Sequence, residues 1–179
     1  MDFTSDDDID LTHFYLLFAS VFMQAPDAGT VQQIEEIFSL KFQDTEEEIR
    51  TEFKYLLSPD EGRFPPFESL YNYPLWDKPQ VLGKASAEVQ QFYEAAGIPM
   101  DEETELIPDH LSAELLFMSY LIGKGMIELQ QDFMLKHLAI WVPHYCDEVQ
   151  NSALTSFYQQ VPVLLKEFIL EECQDLDID

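Results

Sequence analysis

The amino-acid sequence predicts an all-α protein, a single-domain bundle of about seven helices. Apolar residues recur at intervals of three and four along most of the chain, which is the spacing of one helix face. No alternating run of apolar and polar residues is long enough for a strand. The 179 residues are 46% hydrophobic and 13% aromatic, which is enough for one packed core. We therefore expect residues 1–179 to form one domain.

Three helices are predicted in the first third of the chain. Residues 30–33 (TVQQ) and 45–48 (TEEE) are capping-box patterns, so we expect Thr30 and Thr45 to begin the second and third helices. The first helix comes before these two. Acidic residues precede its apolar stripe and would complement the N-terminus of the helix. That stripe consists of Leu11, Phe14, Tyr15, Phe18 and Phe22.

The fourth and fifth helices carry clear boundary signals. A stripe from Val89 to Ala96 is followed by Gly97, a residue that favours the left-handed end of a helix, and by Pro99. Residues 111–122 (LSAELLFMSYLI) are apolar almost all round, and Glu114 is their only charge. Such a helix is surrounded by others rather than lying on a surface, so we place it at the centre.

Two further helices follow the break at Gly123 and Gly125. The first has an apolar face from Met134 to Val149, and Pro143 is expected to kink or divide it. The last stripe runs from Phe157 to Phe168 and leads into an acidic tail. We expect the two acidic ends, residues 1–10 and 174–179, to fray.

Two segments lack helical periodicity. Residues 58–80 contain five of the ten prolines and five aromatic residues, so we predict an ordered loop rather than a simple connector. This loop is either a peptide-binding wall or a cover whose rings are buried on the core, and its composition favours neither. Residues 98–109 carry five carboxylates and are a candidate hinge.

The charge excludes several classes of partner. Nine Lys and Arg residues against 35 Asp and Glu residues give a net charge of −26, which repels nucleic acid and anionic membranes and favours a cationic partner. Two cysteines without a CxxC pattern indicate a reducing compartment. The acidic N-terminus does not resemble a signal peptide, and no apolar run would span a bilayer. We expect a cytoplasmic protein that does not insert into membranes.

The sequence contains only weak patterns of catalytic, metal-binding or ligand-binding residues. Asp109 and His110 could grip a cationic guest or act as an acid/base pair, whereas the simpler interpretation makes Asp109 an N-cap and His110 a first-turn residue. His137 and His144 lie seven residues apart on one predicted face, without a third metal ligand of the usual kind. Cys146 fits a core position better than a nucleophile. We therefore expect no enzyme, no cofactor and no metal.

Three segments nevertheless resemble a known family. Residues 108–118 (PDHLSAELLFM) resemble the hallmark of the TorD/DmsD/NarJ family of redox-enzyme maturation chaperones, and their histidine is typical of its TorD and DmsD branch. Residues 65–71 (PPFESLY) are similar to the family's loop motif. Residues 137–145 (HLAIWVPHY) resemble its Trp-x-Pro helix, and the three segments come in family order.

This resemblance implies a TorD-like helical chaperone that is not an enzyme. Its partners would be the twin-arginine signal peptide and the apo form of a molybdopterin-containing oxidoreductase of the dimethyl-sulfoxide-reductase type, held until the cofactor is inserted. The alternative is a permanent acidic subunit of an oxidoreductase complex, and we expect a monomer or a domain-swapped dimer. The predicted peptide-binding residues are Asp109, His110, Glu68, Tyr71 and Trp76, together with Phe67 and Glu114.

Overall fold

Seven helices form the part of the chain that the computed structural model describes, residues 11–99 and 107–176. These residues include no strand, so the all-α prediction is confirmed. The helices are α1 (Leu11–Met23), α2 (Ala28–Phe38), α3 (Glu46–Leu57), α4 (Lys84–Ala95), α5 (Leu111–Lys124), α6 (residues 127–152) and α7 (Ser156–Leu176).

The core is built on two helix pairs, α1 with α5 and the C-terminal half of α6 with α7. Aromatic rings join them: Phe168 of α7 lies 4.8 Å from the ring of Tyr15 and 5.6 Å from that of Phe18, both on α1. Most of α5 is buried, including Glu114, which confirms its predicted central position. No helix in the described ranges is long and apolar enough to cross a membrane.

Helix α6 is continuous but changes its winding. It consists of Ile127–Phe133, a π-helical turn at Met134–Leu138, and Ala139–Ser152. Pro143 lies inside the last segment without dividing the helix, so division at this proline was a wrong expectation. The wider turn holds more residues than an α-helical one and shifts the faces around it. As a result His137 is buried whereas His144 is exposed. The prediction that the two histidines lie on one face is therefore wrong.

The helix ends agree in part with the sequence signals. Thr45 and Glu48 form the predicted capping box of α3. Helix α2 begins earlier than predicted, because Asp27 rather than Thr30 is its N-cap and accepts a hydrogen bond from the Thr30 N–H. At the C-terminal end, α7 continues to Leu176, so residues 174–176 are helical rather than frayed. Residues 1–10 and 177–179, and most of the candidate hinge (residues 100–106), lie outside the described ranges.

The C-termini of α2 and α4 offer a matched test of backbone strain. Ser39 caps α2 in the left-handed region with φ 53°, where a side chain is unfavourable, whereas Gly97 follows α4 with φ 79°. Ser39→Gly should raise the free energy of unfolding by about 0.5–1 kcal/mol, as measured by urea denaturation. Gly97→Ser should lower it by a similar amount, since a Cβ there meets no atom within 4 Å and only the backbone term changes. Equal stability of all three proteins would contradict this explanation.

Candidate functional site

The loop between α3 and α4 is fastened to the start of α5. Glu68 N–H donates to the carbonyl of Asp109 at 2.9 Å, and Leu111 N–H donates to the carbonyl of Pro66 at 2.8 Å. The Asp109 side chain adds a third bond, because its Oδ2 accepts from the Ser69 N–H at 2.9 Å. Phe67 and His110 thus form an isolated antiparallel β-bridge, and a short 3-10 helix, Glu68–Leu70, follows it.

His110, not Asp109, is the N-cap of α5. Its Nδ1 accepts a hydrogen bond from the Ser112 N–H at 3.1 Å, which requires an unprotonated nitrogen. Burial lowers the pKa of His110 to about 4, although the charge of Asp109 acts in the opposite direction. The Phe67 ring lies edge-on to the imidazole at 5.3 Å. The interpretation of Asp109 as cap and His110 as first-turn residue was therefore wrong, because the carboxylate is used by the loop.

Glu68 carries the loop into the core. Its carboxylate is fully buried and lies 2.9 Å (Oε2) and 3.0 Å (Oε1) from Nδ1 of His137, which is on the π-helical turn of α6. Asn72, four residues further along the loop, donates to Glu68 Oε1 at 2.6 Å. A buried carboxylate is tolerated only with such partners, so this contact determines where the loop can lie.

Glu114 of α5 extends the same network. Trp141 Nε1 donates to Glu114 Oε2 at 3.0 Å. Burial raises the pKa of Glu114 well above its usual range, and the neighbouring charge of Glu68 raises it further. The two carboxyl groups are therefore close enough for the charge of Glu68 to favour the protonated form of Glu114.

Tyr71 packs the loop onto α6. Its ring stacks on Trp141 with centroids 5.6 Å apart and an interplanar angle of 18°, and it meets Tyr145 edge-on at 5.2 Å. Tyr71 is half-buried, so one side of the ring faces solvent. The residue thus lies between the buried network and the surface.

The second half of the loop is exposed. Trp76 is 89% exposed, and its apolar neighbours are also in solvent, namely Tyr73, Leu75, Val81 and Leu82. Residues 66–69 are therefore buried, as the interpretation of the loop as a cover predicts, whereas residues 73–82 are largely exposed and their role as a peptide-binding wall stays a prediction. We call residues 73–82 the exposed loop.

Five of the seven predicted residues meet at one junction. Phe67, Glu68, Asp109, His110 and Glu114 are buried there, Tyr71 lies at its edge, and Trp76 lies apart on the exposed loop. Because Asp109 and His110 are both buried, a guest does not reach them unless the covering segments move.

Sequence reasoning missed two members of the network, His137 and Trp141. The signal that could have found them is the lone acid of an apolar helix, because a buried carboxyl group requires nearby donors. His137 and Trp141 lie one helical turn apart and both offer an N–H group.

The described part of the chain gives little support for a metal site or a reactive cysteine. Residues 11–99 and 107–176 contain no group of three or more side chains that could hold a metal ion. Cys146 is buried, as predicted, and burial raises the pKa of its thiol, which disfavours the reactive thiolate. The junction is built for hydrogen bonding and packing.

Comparison with solved structures supports this fold. A redox enzyme maturation protein from Archaeoglobus fulgidus is similar with a TM-score of 0.53 at 20% identity, over 98% of this chain and 99% of that one. At this identity the likeness concerns the fold alone. The chain thus has an all-helical fold similar to that of a redox enzyme maturation protein.

Sequence comparison gives the family. The sequence profile of the nitrate reductase delta subunit matches residues 23–147, and the chain belongs to this family, the TorD/DmsD/NarJ family that its motifs resemble. The match includes the segments of all three motifs.

Characterised relatives are named as chaperones. The perchlorate reductase assembly chaperone of Dechloromonas aromatica is 31% identical over 46% of this chain and 42% of its own length. Chaperone TorD of Vibrio cholerae is 26% identical over 75% of this chain and 65% of its own length. The selenate reductase assembly chaperone of Thauera selenatis is 28% identical over 87% and 83%. The match thus spans less than two thirds of the length of the first two relatives.

The cap at His110 predicts a pH dependence with a defined sign. In the unfolded chain His110 takes up a proton near its ordinary pKa of about 6.5, whereas in the folded protein it stays neutral down to about 4. Stability contributed by this group is therefore present above pH 6.5 and is lost as the pH falls from about 6.5 to 4. His110→Asn, which keeps a capping side chain, should lose less stability over this window than the wild type.

The matched variant is His110→Ala, which removes the cap as well. At pH 7 it should be less stable than His110→Asn by about 1 kcal/mol, the usual cost of a lost N-cap. Urea denaturation at several pH values measures both effects. Parallel stability curves for the wild type and His110→Asn between pH 4 and 6.5 would contradict the buried, neutral state of this histidine.

Proposed function

We propose that the protein is a cytoplasmic chaperone that binds the twin-arginine signal peptide of a molybdopterin-containing oxidoreductase of the dimethyl-sulfoxide-reductase type. It holds the apoenzyme while the cofactor is inserted, before export. Support comes from membership of the family and from relatives that are named as chaperones, two of them as reductase assembly chaperones. The net charge of −26 favours a cationic guest.

The observation that carries the proposal is the exposed loop attached to a rigid base. Contacts of Glu68, Asp109 and Tyr71 fix its base, which shortens the part of the loop that must become ordered when a guest binds. Signal peptides contain an apolar stretch, for which Trp76 and its neighbours offer a contact surface. In this proposal Phe67, Glu68, Asp109, His110 and Glu114 position the loop, and Tyr71 and Trp76 contact the peptide.

The paired arginines should determine affinity. A twin-arginine signal peptide should bind at least about tenfold more tightly than the same peptide with both arginines changed to alanine, because a hydrogen bond to a charged group contributes about 1.5–3 kcal/mol. Isothermal titration calorimetry of the purified protein with both peptides measures this difference. Equal affinity would contradict the proposed recognition of arginine.

Trp76 should report the apolar part of the same peptide. Since Trp76 is exposed and Trp141 is buried, binding should shift the emission of Trp76 towards the blue and leave that of Trp141 unchanged. Trp76→Phe should abolish the shift. Removing Trp141 instead is a poor control, because Glu114 would lose its indole donor. An unchanged wild-type spectrum at saturating peptide would exclude Trp76 from the contact surface.

A further inference from the structure

A second surface, separate from the exposed loop, has the form of a groove. It lies between α3 and the corner that joins α6 to α7, and its volume is about 630 Å³. Its lining residues are Asp44, Glu47, Glu48, Thr51, Glu52, Tyr55, Leu154 and Thr155. We call it the α3 groove.

Two carboxylates, one buried and one half-buried, hold the α3 groove in shape. Glu52 is buried and accepts hydrogen bonds from the N–H groups of Leu154 and Thr155. Asp44 accepts from the N–H of Ser156 at 3.1 Å and from that of Phe157 at 2.8 Å, at the start of α7. The α6–α7 corner is therefore fixed to α3 and to the residues that precede it, and the groove exists before any guest arrives.

This anchoring holds apolar side chains in solvent. Leu154 is 85% exposed although its own N–H is bound by Glu52, and Tyr55, also a lining residue, is 54% exposed. This hydrogen bond fixes the backbone of Leu154 beside α3. The groove thus offers an aliphatic and an aromatic contact at fixed positions.

All charged side chains that line the groove are acidic. Its lining includes four carboxylates and no Lys, Arg or His. Glu48 uses Oε2 in the capping box with Thr45, whereas Glu47 is exposed and has no hydrogen-bond or ion-pair partner among the described residues. A cationic side chain can therefore bind Glu47 without displacing an existing partner.

The buried junction, by contrast, has no accessible carboxylate for an arginine. Glu68, Asp109 and Glu114 are fully buried, and all three already accept hydrogen bonds. We infer that the α3 groove holds the arginine-bearing segment of the signal peptide, with a guanidinium group on Glu47 and a neighbouring apolar side chain against Leu154 and Tyr55. This inference rests on the proposed function and adds the surface that recognises the charge.

A double variant and a matched control test the groove. Glu47→Gln with Leu154→Ser removes one free carboxylate and one exposed leucine. Glu128→Gln with Ile127→Ser makes the equivalent changes at the start of α6, where Glu128 is in the first helical turn as Glu47 is in α3, and Ile127 is 60% exposed. Titration calorimetry with the twin-arginine peptide should show about tenfold weaker binding for the groove variant and less than twofold change for the control.

Salt dependence and the alanine peptide complete the experiment. If the groove binds the charged arginines of the peptide, raising the salt concentration should reduce the affinity of the groove variant less than that of the wild type. Equal binding of the twin-arginine peptide by the wild type and a folded groove variant would overturn the groove and leave the proposed function intact. A wild type that binds the paired-arginine and alanine peptides equally would overturn both. Glu47→Gln alone, an exposed change, keeps the test valid if the double variant fails to fold.

Discussion

The contact of Glu68 with His137 is the constraint on which the rest of the site depends. Removing a carboxylate from water is energetically costly, and breaking a buried pair typically costs about 3–5 kcal/mol. The position of the loop is therefore fixed by the contact between Glu68 and His137. Asn72, and Glu114 with its Trp141 donor, complete the surroundings of the carboxylate. With Glu68 fixed, its neighbours Phe67 and Ser69 lie against the start of α5, and the exposed loop begins from a rigid point.

The same contact explains why three separated segments carry the family's motifs. Residues 65–71 supply Glu68, residues 108–118 supply Asp109 and Glu114, and residues 137–145 supply His137 and Trp141. Glu68 accepts one hydrogen bond from Asn72 of its own loop, and the other side-chain contacts of these groups join different segments. The motifs are thus understood as the members of one buried network, which fixes the base of the exposed loop.

Helices were predicted well because their signals are local, whereas the site depends on contacts between distant residues. The stripe of α1, the capping box at Thr45 and the lone Glu114 each follow from neighbouring residues. The cap of α5 was assigned to the wrong residue because the Asp109 carboxylate is taken by Ser69, 40 residues away. The inward position of His137 depends on a π-helical turn, which apolar spacing does not reveal.

That turn also makes the length of α6 as important as its composition. Before it, Phe133 meets Phe92 and Phe117; after it, the helix packs along α7. Each residue of an α-helix advances the face by about 100°, so deleting one residue from 134–138 would rotate one half of the helix against the other. Both halves could not then remain packed. An insertion or deletion in residues 134–138 would therefore disrupt packing that a conservative substitution at the same positions would preserve.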